Sequence, residues 1–309
     1  MKILSLKESI EKLSQLNVKR KYWVMYSSLY GGLVKDPEAM VIPLDDHMVH
    51  RGDGIFEAFR FHNKKIFDVD GHLNRLLRSA DLVSLKMPFS KDEIANICQA
   101  VVDNSPEPVG MLRLFVSRGF GDFSPNPYST TGSQLFVVSM PFNQLPTEKY
   151  EKGASIGFSK VAVKPGVFAQ VKSCNYLPNV LTKKESIDNG WDFSINVTEE
   201  GWIAEGPTEN ILVLNAKNEL LAPKFDYTLR GTTLLKVLEL AERFKSQLGL
   251  TQITNADVKA QDLVKAKEVM MVGTTLGVLP VTKANGQALG LGCPGPVAKL
   301  LNSELNKLF

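Results

Sequence analysis

The 309-residue sequence has few cysteines and no long apolar segment. Its three cysteines, Cys98, Cys174 and Cys293, form no Cys-x-x-Cys pair, which is typical of a protein kept in a reducing compartment. A run of about 18 apolar residues, the length that would predict a transmembrane helix, is missing. The N-terminal segment MKILSLKESIEKL has charged residues too early for the apolar region of a signal peptide. We therefore expect a cytoplasmic protein.

The sequence also lacks a block of like charge. Lysine and arginine number 36 against 33 aspartates and glutamates, so the net charge is only +3. This balance argues against a nucleic acid or a membrane surface as the main partner. The hydrophobic fraction of 44% is ordinary for a globular protein. At about 150 residues per domain, the length suggests two domains.

Several catalytic motifs are missing as well. The segment Gly119-Phe120-Gly121 lacks the full spacing of a dinucleotide-binding loop, and neither a P-loop nor a Gly-x-Ser-x-Gly turn occurs. His47 and His50 have the spacing of two metal ligands, but no further histidine or cysteine lies nearby. These absences disfavour a nucleotide enzyme, a serine hydrolase and a metalloenzyme.

The elements that the sequence does predict come in runs of strands and runs of helices, which indicates an α+β fold. Apolar spacing and caps predict helices near 5–16, 72–86, 91–103, 176–189, 232–248 and 295–308. Alternation predicts a hairpin at 55–69 with its turn at Asn63–Lys64, and strands near 22–30, 111–119, 133–140, 154–163, 193–198, 202–205, 210–214, 268–272 and 277–281. We expect an N-terminal domain at 1–140 with a helical extension at 1–21, a linker at 141–153, and a C-terminal domain at 154–309.

Two residues are candidates for cofactor chemistry. Lys172 directly precedes an apolar segment, where loss of hydration would favour the neutral amine that Schiff-base chemistry needs. Glu205 stands beside Gly206–Pro207 between two apolar strands, where a carboxylate can pair with a pyridinium nitrogen. Taken alone, a surface lysine and a solvated turn carboxylate remain the simpler interpretations.

A phosphate site is the second possibility. Gly231-Thr232-Thr233 opens a predicted helix, whose first amides can bind phosphate, and Gly273-Thr274-Thr275 repeats the triplet between two strands. Arg75 adds a guanidinium on a mostly apolar helix. Ordinary helix capping, a strand-connecting turn and a solvated helix face are the alternatives.

Six motifs in order resemble one family. They are RGDGIFE (51–57), HLNRL (72–76), VKSCNYL (171–177), EGPTENI (205–211), LRGTT (229–233) and VGTTLGVLPV (272–281). Together they resemble the class IV aminotransferases, the fold-type IV group of pyridoxal-phosphate enzymes. The resemblance implies a smaller N-terminal α/β domain, a larger C-terminal domain with a β-barrel-like core, and a homodimer. The branched-chain and D-amino acid aminotransferases and aminodeoxychorismate lyase belong to this group.

The resemblance also implies a role for each matching residue. Lys172 matches the lysine that forms a Schiff base with pyridoxal 5′-phosphate and moves the proton, and Glu205 matches the carboxylate at the pyridine nitrogen. Residues matching the remaining cofactor contacts are Arg75, Thr232, Thr233 and Thr274 for the phosphate, and Tyr176 for the ring hydroxyl. Those matching substrate contacts are Thr275 for the carboxylate, and Phe56 and Arg60 for the pocket wall.

The substrate stays open at this point. The Arg-x-His pair with which well-known bacterial D-amino acid aminotransferases bind the carboxylate is replaced by Phe123 and Pro125. Our hypothesis is that Arg118 or Arg60 supplies an alternative contact for the carboxylate. The segment KSCNYLPNVL followed by AEGPTENI nevertheless resembles D-amino acid and lyase-like members. The expected activity is transfer of an amino group from a D-amino acid or a branched-chain L-amino acid to a 2-oxo acid. Aminodeoxychorismate lyase and a non-catalytic binding protein are the alternatives.

Overall fold

The computed structural model describes residues 1–15, 21–290 and 292–308. Its helices are α1 (Leu6–Ser14), α2 (His47–Arg51), α3 (Val69–Leu82), α4 (Lys91–Asp103), α5 (Thr147–Lys152), α6 (Val167–Gln170), α7 (Leu177–Asp188), α8 (Thr232–Arg243) and α9 (Pro296–Asn306). Its strands are β1 (Val24–Ser27), β2 (Gly32–Val34), β3 (Gly54–His62), β4 (Lys65–Ile66), β5 (Gly110–Ser117), β6 (Gln134–Met140), β7 (Ala154–Ser159), β8 (Phe193–Asn196), β9 (Asn210–Leu214), β10 (Glu219–Ala222), β11 (Gln252–Asn255), β12 (Glu268–Gly273), β13 (Gly277–Ala284) and β14 (Gln287–Ala288). Most of the predicted extension is described, but residues 16–20 lie outside the described residues, as do Leu291 and Phe309 of the predicted second domain.

The first compact unit comprises residues 1–66 and 86–142. Its antiparallel sheet has the strand order β2-β1-β6-β5-β3-β4. The hairpin of β3 and β4 turns at Asn63 and Lys64, whose φ angles of 49° and 62° suit a tight turn, so the predicted hairpin is confirmed. Ser90 and Glu93 form the predicted capping box, which starts α4 at Lys91.

The second compact unit comprises residues 67–85 and 143–309. Its eight-stranded sheet runs β11-β10-β9-β12-β13-β7-β8, with β14 paired to β13. Successive residues of its central strands enter two different apolar clusters, as the two-residue period of a strand requires. Ile211 and Met271 lie in one cluster, while Leu212 and Met270 lie in the other, which also contains the buried faces of α8 and α9.

Strands and helices in this order confirm the predicted α+β class. The grouping of contacts differs from the domain boundaries that we expected from the sequence. Residues 67–85, assigned there to the N-terminal domain, group with the second unit because α3 contacts α8. The chain passes from the first unit to the second between Phe142 and Asn143, and the expected linker at 141–153 contains α5.

Some predicted elements also need correction. Helix α8 ends at Arg243 rather than Leu248, because the following residues form turns with shorter hydrogen-bond spacing, such as Lys245 N–H to Glu242 O. Residues 202–205 are not a strand: Trp202 and Ile203 form isolated bridges only. The sequence analysis missed β2, α2, α5, α6, β10, β11 and β14, all of six residues or fewer. No helix in the described ranges is both long and apolar enough to cross a membrane.

Candidate active site

A pocket of about 540 Å³ lies within the second unit, between the end of α6, the start of α8 and the turn after β12. Its wall brings together all seven residues that the sequence singled out for cofactor binding. These are Arg75, Lys172, Tyr176, Glu205, Thr232, Thr233 and Thr274. Residues almost 200 positions apart in the chain therefore share one pocket, as a binding site requires.

Lys172 lies on the segment between α6 and α7, and its side chain is only 9% exposed. Its backbone N–H donates to the Ser79 hydroxyl of α3 at 3.3 Å, which fixes the start of the segment. The interpretation as an ordinary surface lysine is therefore wrong. A buried amine in a pocket wall can act as a nucleophile and a proton carrier.

Glu205 is held by two donors in the same pocket. Its Oε2 accepts from the Leu229 backbone N–H at 2.8 Å and from Asn210 Nδ2 at 3.3 Å. Desolvation raises the pKa of Glu205 to about 7, and the Leu229 N–H and the charges of Lys164, Lys172 and Arg75 oppose this rise. Glu205 is thus half-buried and hydrogen-bonded rather than fully solvated on a turn, and a cationic ring nitrogen placed beside its carboxylate would favour the ionised form.

The residues predicted to bind the phosphate lie together at the first turn of α8. Thr232 and Thr233 are each 5% exposed, and Thr233 Oγ1 lies 3.4 Å from Thr274 Oγ1 in the turn between β12 and β13. The first backbone amides of a helix lack partners inside the helix and carry the positive end of its dipole. Arg75 Nη1 donates to the Arg230 carbonyl at 3.3 Å, so a guanidinium stands beside those amides. Together they make a site for an anion such as phosphate.

Gly231, just before α8, is packed tightly against the side chain of Asn210. A Cβ placed on Gly231 would lie 1.9 Å from Asn210 Oδ1, a separation that no real structure tolerates. Asn210 cannot move away freely, because its Nδ2 donates to the Leu229 carbonyl at 2.9 Å as well as to Glu205. The glycine of the LRGTT motif is therefore required by the close approach of Asn210.

Replacing Gly231 with alanine is expected to weaken pyridoxal 5′-phosphate binding by about tenfold or more, the order set by losing a hydrogen bond to a charged group. The displaced Asn210 would no longer hold both Glu205 and the loop before α8. An absorbance titration of the apoprotein with the cofactor measures the effect. Gly32→Ala is the control, because a Cβ there meets nothing within 4 Å; equal affinities in the two variants would refute the prediction.

The sequence analysis missed two residues of the pocket wall and one residue that contacts it. Lys164 lines it, and burial lowers the pKa of its amine, although the nearby Glu205 charge opposes this shift. Glu209 also lines it, and desolvation raises the pKa of this carboxyl. His72 Nε2 lies 3.2 Å from Thr232 Oγ1, one helical turn before Arg75 on α3. Only His72 had a sequence signal, since residues three apart share a helix face; the other two enter the site through tertiary packing.

The same pocket wall contains Tyr176, which is predicted to contact the ring hydroxyl of the cofactor. The Tyr176 hydroxyl donates to the Pro207 carbonyl at 2.9 Å, and its ring lies 5.3 Å from Lys164 Nζ. Thr275 follows Thr274 in the turn between β12 and β13 and is half-buried. These contacts do not test the predicted roles of Tyr176 and Thr275, which stay predictions.

Three predicted substrate residues belong to the first unit. Phe56 on β3 is 5% exposed, and its ring stacks on Phe115 with centroids 6.0 Å apart. The Arg60 guanidinium lies 4.2 Å from the centre of the Phe142 ring. Arg118 Nε donates to Asp53 Oδ2 at 2.6 Å, and Asp53 belongs to the RGDGIFE motif. An arginine held by a carboxylate has a fixed direction, which suits a binding group.

Metal chemistry finds no support in the described ranges, where no three histidine, cysteine or acidic side chains are grouped to hold an ion. The pocket instead joins a buried lysine, a desolvated carboxylate and an anion site. This donor set fits pyridoxal 5′-phosphate, which has an aldehyde, a basic ring nitrogen and a phosphate.

Comparison with known proteins agrees with this fit. The family model described as "Amino-transferase class IV" matches residues 54–284. The chain is 38% identical to a protein of Arabidopsis thaliana named D-amino-acid transaminase, chloroplastic, over 97% of this chain and 80% of that protein. It is 29% identical to a D-alanine aminotransferase of Bacillus licheniformis, over 90% and 95%. A solved branched-chain amino acid aminotransferase of the organism abbreviated T.th., with pyridoxamine 5′-phosphate, is 25% identical, covers 94% of each chain and superposes with a TM-score of 0.85.

Proposed function

Since the chain belongs to the class IV aminotransferase family, we propose that it transfers amino groups from D-amino acids to 2-oxo acids. The chain is a transaminase of fold type IV, and its cofactor is pyridoxal 5′-phosphate. The preference for D-amino acids is carried by one observation, the 38% identity to a D-amino-acid transaminase over almost the whole chain. The second relative with a D-amino acid in its name supports the same preference.

The part of the pocket at the first turn of α8 would hold the phosphate group of the cofactor. The amides of Thr232 and Thr233, the Thr274 hydroxyl and the Arg75 guanidinium are the donors proposed for that contact. Glu205 would face the ring nitrogen and keep it protonated. Bound there, pyridoxal 5′-phosphate supplies an aldehyde that condenses with amines and a protonated ring that accepts electrons.

Lys172 performs the proton transfers in this proposal. Its Nζ would hold the cofactor through the aldehyde and would become free when the amine of the donor amino acid takes its place. The freed Nζ would then be the base that removes the proton from the donor Cα and the acid that gives the proton back. A second 2-oxo acid would take up the amino group with the same lysine in the reverse roles.

Arg118 is the proposed group for the substrate carboxylate, with Arg60 as the second candidate, and Phe56 and Thr275 are proposed as the neighbouring contacts. Replacing Arg118 with alanine is expected to raise KM for D-alanine by about tenfold or more, the value of one charge-assisted hydrogen bond. Arg60→Ala is measured in parallel in steady-state assays. An unchanged KM in both variants would exclude a carboxylate role for either arginine.

The proposed substrate class is tested with the purified, cofactor-loaded protein and single amino acids. D-Alanine is expected to convert the visible absorption of the pyridoxal form into that of the pyridoxamine form, while L-leucine and L-glutamate leave it unchanged. Conversion by L-leucine alone would instead assign the branched-chain activity. Release of pyruvate from aminodeoxychorismate with no added 2-oxo acid would assign the lyase.

We also propose that the chain forms a homodimer through α7. Four apolar side chains on this helix are strongly exposed, namely Leu177 (65%), Val180 (57%), Leu181 (43%) and Ile187 (66%). They lie at helical spacing beside an apolar groove of about 980 Å³. Apolar patches of this kind mark protein–protein contacts. Val180→Glu combined with Ile187→Glu is expected to halve the mass measured by sedimentation, whereas Ile10→Glu, on an exposed apolar residue of α1, is expected to leave it unchanged.

The proposed compartment is the cytoplasm, in agreement with three cysteines that form no disulfide in the structure. The Arabidopsis relative is chloroplastic by name.

A further inference from the structure

The loop 223–231 joins β10 to α8 and carries three contacts of the cofactor pocket. The Leu229 N–H donates to Glu205, and the Arg230 carbonyl accepts from Arg75. Gly231 ends the loop and places the first amides of α8. The position of the carboxylate, of the guanidinium and of the helix N-terminus therefore depends on the path of this one loop.

The same loop is bound on its other side by Asp257. Asp257 Oδ1 accepts from the Tyr227 hydroxyl at 2.8 Å, and Oδ2 accepts from Lys224 Nζ. The Thr228 hydroxyl donates to the Lys224 carbonyl at 2.9 Å. Lys224 and Tyr227, the two partners of Asp257, therefore lie in one hydrogen-bonded turn. Thr228 itself is only 2% exposed. Two loop residues thus share one carboxylate outside the pocket.

The topology of the sheet explains why Asp257 reaches this loop. β10 and β11 are parallel neighbours, so the segments that follow them leave the sheet at the same edge. Asp257 follows β11 by two residues, and Lys224 follows β10 by two. Two further hydrogen bonds join these segments, from Ala256 N–H to the Ala222 carbonyl and from Asn255 Nδ2 to the Pro223 carbonyl. The Asp257 contacts continue this pairing beyond the strands.

The ionisation of these groups agrees with their geometry. The Lys224 ammonium lowers the pKa of the Asp257 carboxyl, and Asp257 in turn raises the pKa of Lys224. Burial and the Asp257 charge raise the pKa of the Tyr227 hydroxyl, which keeps it protonated and able to donate. The cluster is therefore in its hydrogen-bonding state throughout the neutral pH range.

We propose that Asp257 is a positioning residue for the cofactor: by binding Tyr227 and Lys224 it holds the loop 223–231 against Glu205 and Arg75. Asp257 touches neither cofactor nor substrate in this proposal, which rests on the proposed function, and no covalent step passes through it. A looser loop would make it less favourable for Glu205, Arg75 and the first amides of α8 to hold the positions that bind the ring nitrogen and the phosphate. The cost appears in cofactor affinity before it appears in turnover of the loaded enzyme.

The test compares Asp257→Asn and Tyr227→Phe with the unchanged protein. Both variants are expected to raise Kd for pyridoxal 5′-phosphate by roughly tenfold, the order for one hydrogen bond to a charged group. The fall in kcat at saturating cofactor is expected to be smaller than the loss of affinity. Titration of each apoprotein by absorbance gives Kd without relying on activity. Tyr227→Phe removes only a hydroxyl, so it keeps the test usable if Asp257→Asn fails to fold.

Asp192→Asn is the matched control in the same unit. Asp192 is 25% exposed and pairs with Lys149, much as Asp257, at 29%, pairs with Lys224. Its further partners, the N–H and hydroxyl of Ser155, lie at β7. This control is expected to lower the thermal midpoint while leaving the cofactor Kd within about twofold, below the effect of one such hydrogen bond. An unchanged Kd in both test variants, or an equal rise in Asp192→Asn, would overturn the proposal.

Discussion

Alanine at position 172 is expected to reduce transamination by at least about 10³-fold, because the variant lacks both the nucleophile and the proton carrier. The Lys172 side chain is 9% exposed and stands in the wall of the pocket that holds the anion site. Stopped-flow absorbance with D-alanine measures the conversion of the bound cofactor directly. Since the phosphate contacts remain, the variant should still bind pyridoxal 5′-phosphate.

The control for this experiment is Lys152→Ala, whose lysine is exposed and pairs with Glu148 four residues earlier on α5. It is expected to retain the full rate. Adding a small primary amine to Lys172→Ala should restore part of the rate, since a free amine can carry the missing proton. A Lys172→Ala protein that turned over at a rate near that of the unchanged enzyme would show that another group moves the proton.

Glutamine at position 205 is expected to lower kcat by about a hundredfold, the order found when one preorganised electrostatic group is removed. The amide oxygen of the Glu205→Gln variant would still accept from the Leu229 N–H, so the loop stays in place, but no negative charge would face the ring nitrogen. Steady-state assays with D-alanine at saturating cofactor measure the loss. Glu200→Gln, on an exposed turn of the same region, is the control.

The Glu205 variant also has a readout that is independent of catalysis. Because desolvation raises the pKa of Glu205 to about 7, the folded apoprotein binds a proton that the unfolded chain has already lost above its ordinary value of 4.5. This group therefore contributes stability below pH 4.5 that is lost as the pH rises through 7. As the pH is raised from about 5 to about 8, the thermal midpoint of the apoprotein should decrease relative to that of the Glu205→Gln variant. A constant difference would mean that Glu205 titrates normally.

The parts of the molecule that the sequence predicted well are those whose signals are local. The capping box of Ser90 and Glu93 and the left-handed residues Asn63 and Lys64 are determined by neighbours a few positions away. Elements of two to six residues, such as β2 and α2, are too short to show a period. Their position follows from pairing with distant strands, which a single sequence does not reveal.

The candidate site also contains residues that the sequence could identify and residues that only the fold brings together. Its central residues were found because six motifs occur together in one order, whereas Lys164 has no motif and enters the pocket only through the fold. The alternatives for Glu205 and Lys172 rested on exposure, which is a tertiary property: in the structure Lys172 is buried, and Glu205 is half-buried with its carboxylate hydrogen-bonded. The residues that determine substrate choice are not identified by these motifs, and the role of Arg118 is a proposal.

Helix α3 has a consequence for synthesis of the chain on the ribosome. Its residues separate two stretches of the first unit, yet its contacts belong to the second, and Thr232, the partner of His72, is made 160 residues later. The newly made helix, whose Leu73, Leu76 and Ala80 are buried in the finished chain, therefore remains without its partner α8 while about half of the polypeptide is translated. A nascent chain halted before residue 232 is expected to expose this apolar face and to need a chaperone, whereas the finished chain conceals it.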